Sequence, residues 1–375
     1  MTHKHAFALG IYGDGQLARF FALSARAHNV SMIIYTLNAE DSPCKELAPL
    51  KQGDSWTDKK SFDEFCELCE TIVLENEFVP AEFLLEAESH GTKIFPNAKS
   101  FDQVSNKLKQ IEVSQSLGLR IPLHQVIHSP SDLENLRLPV MLKNLTGGYD
   151  GYGNFSFIHQ HQMDAAKSFI EKGGSALAQE FLDFEKEVAV IVVGNGKDYF
   201  TFPVTETIQE KSICHFVLTP ARISNELQEK IKQQAMLLIK AINGVGVFGV
   251  EFFIMGEEII FNEIAPRPHN SGHYSIEACD YSQFDALIKL ILNRPLTLPR
   301  LKTPAAGMLN LLGTQNGKAH FKGEEAFSQT PQGFLHLYGK EDSRIGRKMG
   351  HFTLLGPSQD EILKQLTFLK SKYQL

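Results

Sequence analysis

An apolar run, Ile259-Ile260-Phe261, leads directly into Asn262, Glu263, Arg267, His269 and His273, with Pro266, Pro268 and Gly272 between them. An amide, a carboxylate, a guanidinium and two imidazoles so close together, after so apolar an approach, fit a strand end facing the interior better than a solvated loop. A strand end that offers Asn and Glu, stiffens, and then offers cations suits metal-bridged phosphate chemistry with an anionic co-substrate. Glu251 strengthens this reading. It interrupts an apolar strand over 247–254 that pairs with 258–264 as a hairpin around Met255-Gly256-Glu257. Glu251 and Glu263 then share one face as opposite or diagonal neighbours. Two carboxylates that close repel unless a cation lies between them, and magnesium suits the position. Strict alternation turns Asn262 away from Glu263, and two solvated hairpin acids are the plainer alternative.

Two glycine-rich segments could hold phosphates. Leu138-Pro139-Val140-Met141-Leu142-Lys143 reads as a buried strand ending on a lysine, and Gly147, Gly148, Gly151 and Gly153 follow, interleaved with Tyr149, Asp150, Tyr152 and Asn154. Backbone N–H groups of such a loop can cradle a polyphosphate while the lysine supplies charge. No Gly-Lys-Ser/Thr follows, so this is not a Walker loop, and a glycine hairpin remains open. Gly13-Asp14-Gly15-Gln16-Leu17-Ala18 fits the dinucleotide pattern G-x-G-x-x-A. However, the second strand ends without the acid that a ribose needs, because Glu40 and Asp41 come later. A tight turn or a small phosphate site competes with that reading. The stretch from Leu177 through Gln179, Glu180, Phe181 and Leu182 to Glu187 reads alone as an ordinary β-connection with surface carboxylates.

The elements that must position these residues follow from periodicity. Strands over 7–12, 30–35 and 71–74 alternate with helices over Gln16–Ala27 and 61–70, which is an open parallel sheet. One helix is expected from Ser100 to about Leu117, closed by Gly118 and Pro122. Strands and short helices alternate irregularly over 138–264, and short strands recur at 307–312, 334–338 and 351–355. The divisions are therefore expected at 1–98, 99–297 and 298–375.

Composition is that of a globular chain: 375 residues, 43% hydrophobic and 22% charged. A net charge of −7 argues against nucleic acid as the main partner but leaves room for small anions met by local cations. No apolar run reaches the ~18 residues of a membrane span. The N-terminal stretch is too short and too broken by glycine for a signal sequence, so a cytoplasmic location is expected. The five cysteines are scattered; Cys66 and Cys69 form a C-x-x-C inside a helical pattern with no second ligand pair, which favours two reduced thiols over zinc.

Taken in order, these segments resemble the ATP-grasp ligases, and among them the N5-carboxyaminoimidazole ribonucleotide synthetases. The resemblance spans almost the whole chain. It rests on Gly13 to Leu17, Glu75-Asn76-Glu77, Gly147 to Gly151, Asn262 through Asp280, His336-Leu337-Tyr338-Gly339-Lys340 and Gly346 to His351. It implies a mixed α/β protein: a Rossmann-like N-terminal sheet domain, a central ATP-grasp domain and a small C-terminal β-rich domain. It implies ATP with its phosphates held by Lys107, Lys143 and the loop Gly148, Tyr149, Asp150, Gly151, Tyr152, Gly153 and Asn154. The adenine edge would meet Gln179, Glu180, Phe181 and Leu182, and the ribose Glu187, with Gln209 nearby. Glu251 and Glu263 would hold Mg2+, with Asn262 beside them.

The same resemblance implies that bicarbonate and ATP form carboxyphosphate, held by Arg267, His269 and Lys340. Its carboxyl unit then passes to aminoimidazole ribonucleotide, bound by Gln16, Glu77, Tyr149, Asp150, Lys340, Arg347 and Lys348. A homodimer is also implied. The chain departs from the family pattern at Asp14 and Ala18, where glycines are usual, at Gln179, where glutamate is common, and at Gln209, where many members carry histidine. Asp14 would be unfavourable near an anion unless it points away. Rival readings are a formate-using glycinamide ribonucleotide transformylase, an NAD-dependent oxidoreductase using the Gly13 loop, and a non-catalytic binding protein of the same fold.

Overall fold

The computed structural model describes residues 5–147, 153–210 and 212–375. In the N-terminal region the chain runs through β1 (Phe7–Tyr12), α1 (Gln16–Ala27), β2 (Met32–Thr36), β3 (Leu50–Gln52) and α2 (Lys59–Leu68). It continues through β4 (Cys69–Leu74), α3 (Ala81–Ser89) and β5 (Lys93–Phe95). The strands form a parallel sheet in the order β3-β2-β1-β4-β5. Their apolar residues pack on both faces, as a helix-covered parallel sheet requires. Strand order reverses between β1 and β4, and the crevice beyond their carboxyl ends is where such sheets bind ligands. Gly13 to Gln16 and Glu75 to Glu77 leave the sheet at that crevice. The expected helix over 61–70 is corrected at its end: Cys69 is extended and fully buried, so it opens β4.

The single helix expected from Ser100 is two. α4 (Ala98–Val104) stops and α5 (Lys107–Ser116) restarts, because Asn106 is extended and its side chain accepts a hydrogen bond from the Leu108 N–H at 2.8 Å. That N-cap sets Lys107 as the first residue of the new helix.

A small antiparallel sheet follows from β6 (His124–Ile127), β7 (Val140–Asn144), β8 (Asn154–Phe157), α6 (Met163–Gly173) and β9 (Ala176–Glu180), with strand order β6-β9-β7-β8. The chain then enters a large antiparallel sheet through β10 (Lys186–Asn195), β11 (Tyr199–Thr201), β12 (Thr205–Glu210) and β13 (Ile213–Thr219). After α7 (Asn225–Ala241) come β14 (Val245–Met255) and β15 (Glu258–Ala265), and then α8 (Ser275–Ala278) and α9 (Gln283–Ile291). The C-terminal elements are β16 (Ala305–Leu312), β17 (Gly317–Lys318), α10 (Glu324–Ser328), β18 (Gly333–Leu337), β19 (Asp342–Ser343), β20 (Lys348–Gly356) and α11 (Gln359–Lys370).

Through the β13–β16 pairing the C-terminal strands continue the same sheet, in the order β15-β14-β10-β12-β13-β16-β20-β18, with β11 beside β10. One apolar core accordingly joins α1 of the N-terminal region to α9 and β16, with Phe20 and Phe21 packed on Phe284. No helix among the described residues is long and apolar enough to cross a membrane.

Gln110 of α5 ties this scaffold together. Its buried amide donates to the Val104 carbonyl at 2.6 Å and the Ile264 carbonyl at 3.0 Å, and accepts from the Ile264 N–H at 2.8 Å. Gln110→Leu leaves those backbone groups unsatisfied in the interior and is expected to cost about 2–4 kcal/mol. A denaturant titration reads this as a lower midpoint with unchanged slope.

Candidate functional site

The β14–β15 hairpin supplies the first wall. Glu251 stands directly opposite Glu263, and the register then jumps so that Phe252 faces Phe261. Asn262 is the extra residue of a β-bulge, which re-aims a side chain that alternation would turn away. The Asn262 amide nitrogen donates to Glu251 at 3.1 Å, and its oxygen accepts from the Lys143 ammonium at 2.8 Å. Lys107 pairs with Glu263 at 2.7 Å, and His269 Nε2 lies 3.4 Å from Glu251. Asn262 thus joins the two carboxylates on one face, and the expectation from strict alternation is corrected.

Charge is tightly balanced here. Burial pushes the Glu251 carboxyl well above its ordinary range, and Glu187 and Glu263 push it further. Burial opposes ionisation of Glu263 as well, but Lys107 and then Lys143 outweigh it and hold that carboxyl below its usual value. Lys143, at the end of β7 and buried, is pushed down to about 8 by burial and by Lys107, against the pull of Glu263, Glu251 and Glu187. A pair of hard oxygen donors facing a cavity fits a divalent cation such as magnesium. No group of three His, Cys, Asp or Glu side chains that could hold a metal occurs among the described residues. Nucleotide phosphates and water would therefore complete the shell.

The second part of the site lies between the small and large sheets, in a cavity of about 840 Å³. Gln179, Glu180, Phe181 and Leu182 line it where the chain crosses from β9 to β10. Glu180 carries its carboxylate back to the Leu123 N–H at 2.8 Å, so its side chain fastens the crossing to the segment before β6. Met141, Phe184 and Phe253 add an apolar slot, with the two phenylalanines stacked at 4.4 Å. Such a slot accepts a flat base. Sequence periodicity did not reveal it, because a lining residue and a core residue look alike in an apolar strand.

Glu187 accepts from Thr207 Oγ1 at 2.9 Å and Gln209 Nε2 at 2.8 Å, which oppose the upward push of burial on its carboxyl. Gln209 thus sits at the site as a partner of Glu187. Asn154 lines the cavity, whereas Gly153 offers its carbonyl to the Asn144 N–H at 2.8 Å. Gly148, Tyr149, Asp150, Gly151 and Tyr152 lie outside the described residues.

Cations form the third wall. Arg267 Nε donates to Glu77 at 3.0 Å, joining the segment after β15 to the crevice beyond β4. His269 Nδ1 lies 2.9 Å from Ser271 Oγ, and the Gln283 side chain clasps the His269 backbone at both its N–H and its carbonyl. Lys340 donates to Gln16 Oε1 at 2.8 Å and to the Lys348 carbonyl at 2.7 Å; Arg347 donates to the Asp342 carbonyl at 2.6 Å. Lys348 is buried at the start of β20, and Glu77, Arg267, His269, Lys340, Gln16, Arg347 and Lys348 line the same cavity.

Asp14 does point away: it accepts from Thr36 Oγ1 at 2.5 Å and is not on the cavity wall. Gly15 lets Glu75 approach closely: a Cβ there would lie 2.4 Å from a Glu75 carboxylate oxygen and would displace that side chain. Glu75 and Arg344 also line the cavity without having been assigned a role. Burial moves Glu75 to about 7 while Arg267 pulls it down. Its place after β4 at the switch point could have marked it. A carboxylate packed under Gly15 also disfavours a pyrophosphate at that turn.

Three family models match the chain: the ribonucleotide synthetase preATP-grasp domain at 7–104, the ATP-grasp domain at 112–284, and the phosphoribosylaminoimidazole carboxylase C-terminal domain at 306–365. An N5-carboxyaminoimidazole ribonucleotide synthase of Synechococcus elongatus is 35% identical over 92% of this chain and 89% of its own. The crystal structure of a carboxyaminoimidazole ribonucleotide synthase from Aspergillus clavatus complexed with ATP superposes with a TM-score of 0.88 at 32% identity, covering 98% of both chains. A second structure from that organism, with ADP and 5-aminoimidazole ribonucleotide, gives 0.86 at 31% identity, again over 98% of both.

Lys143→Met removes the buried cation at the end of β7 and is expected to weaken ATP binding by about tenfold to a hundredfold, the loss of a charge-assisted bond. Isothermal titration with ATP and magnesium checks this, with thermal melting to confirm that the variant is folded.

Proposed function

This chain belongs to the N5-carboxyaminoimidazole ribonucleotide synthase family of ATP-grasp ligases, and on that footing we propose how its cavity carries out the ATP- and bicarbonate-dependent carboxylation of 5-aminoimidazole ribonucleotide, a step of purine biosynthesis. The observation that carries the reading is the joining of opposed charges in one cavity. The paired carboxylates Glu251 and Glu263 with Lys107 and Lys143 form one end, and Arg267, His269, Lys340, Arg347 and Lys348 form the other.

ATP lies with its base in the slot of Met141, Phe184 and Phe253 along the 179–182 crossing and its ribose at Glu187. Its phosphates meet Lys107 and Lys143. Glu251 and Glu263, with Asn262 beside them, would hold Mg2+, which screens charge between the nucleotide phosphates and the carboxylates. A bicarbonate oxygen attacks the γ-phosphorus and ADP leaves, giving carboxyphosphate. Arg267, His269 and Lys340 are preorganised donors for the negative charge on that intermediate.

The exocyclic amine of the ribonucleotide then forms the new C–N bond to the carboxyl carbon. Phosphate departs, the amine loses its proton, and the carbamate remains. Gln16 and Glu77 flank the ribonucleotide, with Tyr149 and Asp150 assigned to its imidazole by the family resemblance. Arg347 and Lys348, at the cavity wall beside Lys340, suit its phosphate. The working form is proposed as a cytoplasmic homodimer without nucleic-acid or membrane partners.

A coupled assay of ADP release tests this reading. Release is expected only with aminoimidazole ribonucleotide and bicarbonate both present, and dependence on formate and glycinamide ribonucleotide would overturn it. Glu263→Ala is expected to abolish turnover with the circular dichroism spectrum unchanged. Unchanged turnover would contradict the metal assignment.

A further inference from the structure

The chemistry above leaves Glu277, His336, Tyr338 and His351 without a task, although each belongs to a motif that stood out in the sequence. In the structure they meet at one place. His336 of β18 lies opposite His351 of β20 in the strand register, and their rings stack at 4.6 Å. His336 Nε2 lies 2.6 Å from Glu277 Oε1, and Tyr338 Oη lies 3.0 Å from His351 Nδ1. Phe20 of α1 packs against both of these imidazoles and Tyr338, and against His273 as well.

We propose that the Glu277–His336 hydrogen bond, backed by the stacked His351–Tyr338 pair, is a latch that positions Lys340 and Lys348 against Arg267 and His269 for the carboxylation; this rests on the function proposed above. Among the described residues β18 is the outermost strand of the large sheet and has a ladder partner on one side only. Lys340 follows its end, two residues beyond the bond from the Tyr338 N–H to the Met349 carbonyl at 2.9 Å, so its approach to the cavity depends on how firmly this edge is held. Glu277 holds the free side of that edge from α8, which continues the segment bearing Arg267 and His269.

The latch therefore joins the two cationic halves directly. The imidazole pair marks the register between β18 and β20, and a slip of β18 by one residue would turn its side chains to the opposite face. Phe20 extends the same contact to α1, whose first residue, Gln16, accepts from Lys340 at 2.8 Å. Burial, reinforced by His336 and His273, pushes the His351 imidazole far down, so this ring is a neutral hydrogen-bonding partner rather than a charge. These side chains are positioning residues: they act through Lys340 and Lys348.

The test compares Glu277→Ala, Glu277→Gln and His336→Phe with the parent in steady-state kinetics and ATP titration. Glu277→Ala is expected to raise KM for aminoimidazole ribonucleotide by about tenfold and to lower kcat, the scale of one lost hydrogen bond to a charged group. ATP affinity should stay within about twofold, because the nucleotide wall does not use the latch. Glu277→Gln keeps an acceptor for His336 and should recover most of the loss. His336→Phe keeps the ring stack while removing the bond, and should behave like Glu277→Ala even if that variant folds poorly.

Parent-like kinetics in Glu277→Ala and His336→Phe would overturn the latch. So would a loss of ATP affinity in step with activity, or a failure of glutamine to rescue. A parent without ribonucleotide-dependent ADP release would overturn the functional reading and the latch together, whereas an active parent with unaffected variants would overturn the latch alone.

Discussion

Three glutamates that cannot all be comfortable govern this molecule. Glu187, Glu251 and Glu263 face one cavity, and burial alone would force protons onto them. Lys107 and Lys143 make the arrangement tolerable, each delivered from a different element: the first residue of α5 and the end of β7. The bulge at Asn262 completes the balance by placing an amide between Lys143 and Glu251, accepting from one and donating to the other. The resulting polarity suits a phosphate chain with its cation, which bring charges of both signs to side chains that already balance one another.

That constraint explains much of the architecture. α5 must restart at Lys107, so the helix that periodicity draws as one is broken by the Asn106 cap. Gln110 must then fasten α5 to the backbone of Ile264, the residue after Glu263. The small sheet must stand over the large one for Lys143 of β7 to reach Asn262 of β15. The C-terminal strands join the large sheet, so Lys348 and the turn beyond β18 arrive at the same cavity from its other side.

The chemistry-bearing residues were legible in the sequence because reactive side chains stand out against apolar strands. Glu251 and Glu263 fall at strand positions and Arg267 and His269 follow directly on a buried strand end, where a solvated role is hard to sustain, and the parallel N-terminal sheet follows from its alternating periodicity. What was not legible depends on contacts between distant segments. Met141 and Phe253 read as core until a second sheet faces them across a slot. Asp14 reads as an obstacle until Thr36 draws it away. Asn262 reads as pointing outward because nothing local announces a bulge. The pairing of β13 with β16 joins strands nearly a hundred residues apart in sequence, beyond the reach of any local pattern.

The account depends most on one cavity in which bicarbonate meets the γ-phosphate. Supplying bicarbonate labelled with oxygen-18 and analysing the released phosphate by mass spectrometry tests this directly. Attack by a bicarbonate oxygen, followed by carboxyl transfer, predicts that each phosphate formed carries one oxygen from bicarbonate. Phosphate whose added oxygen comes from water, with ADP formed at the same rate, would contradict it.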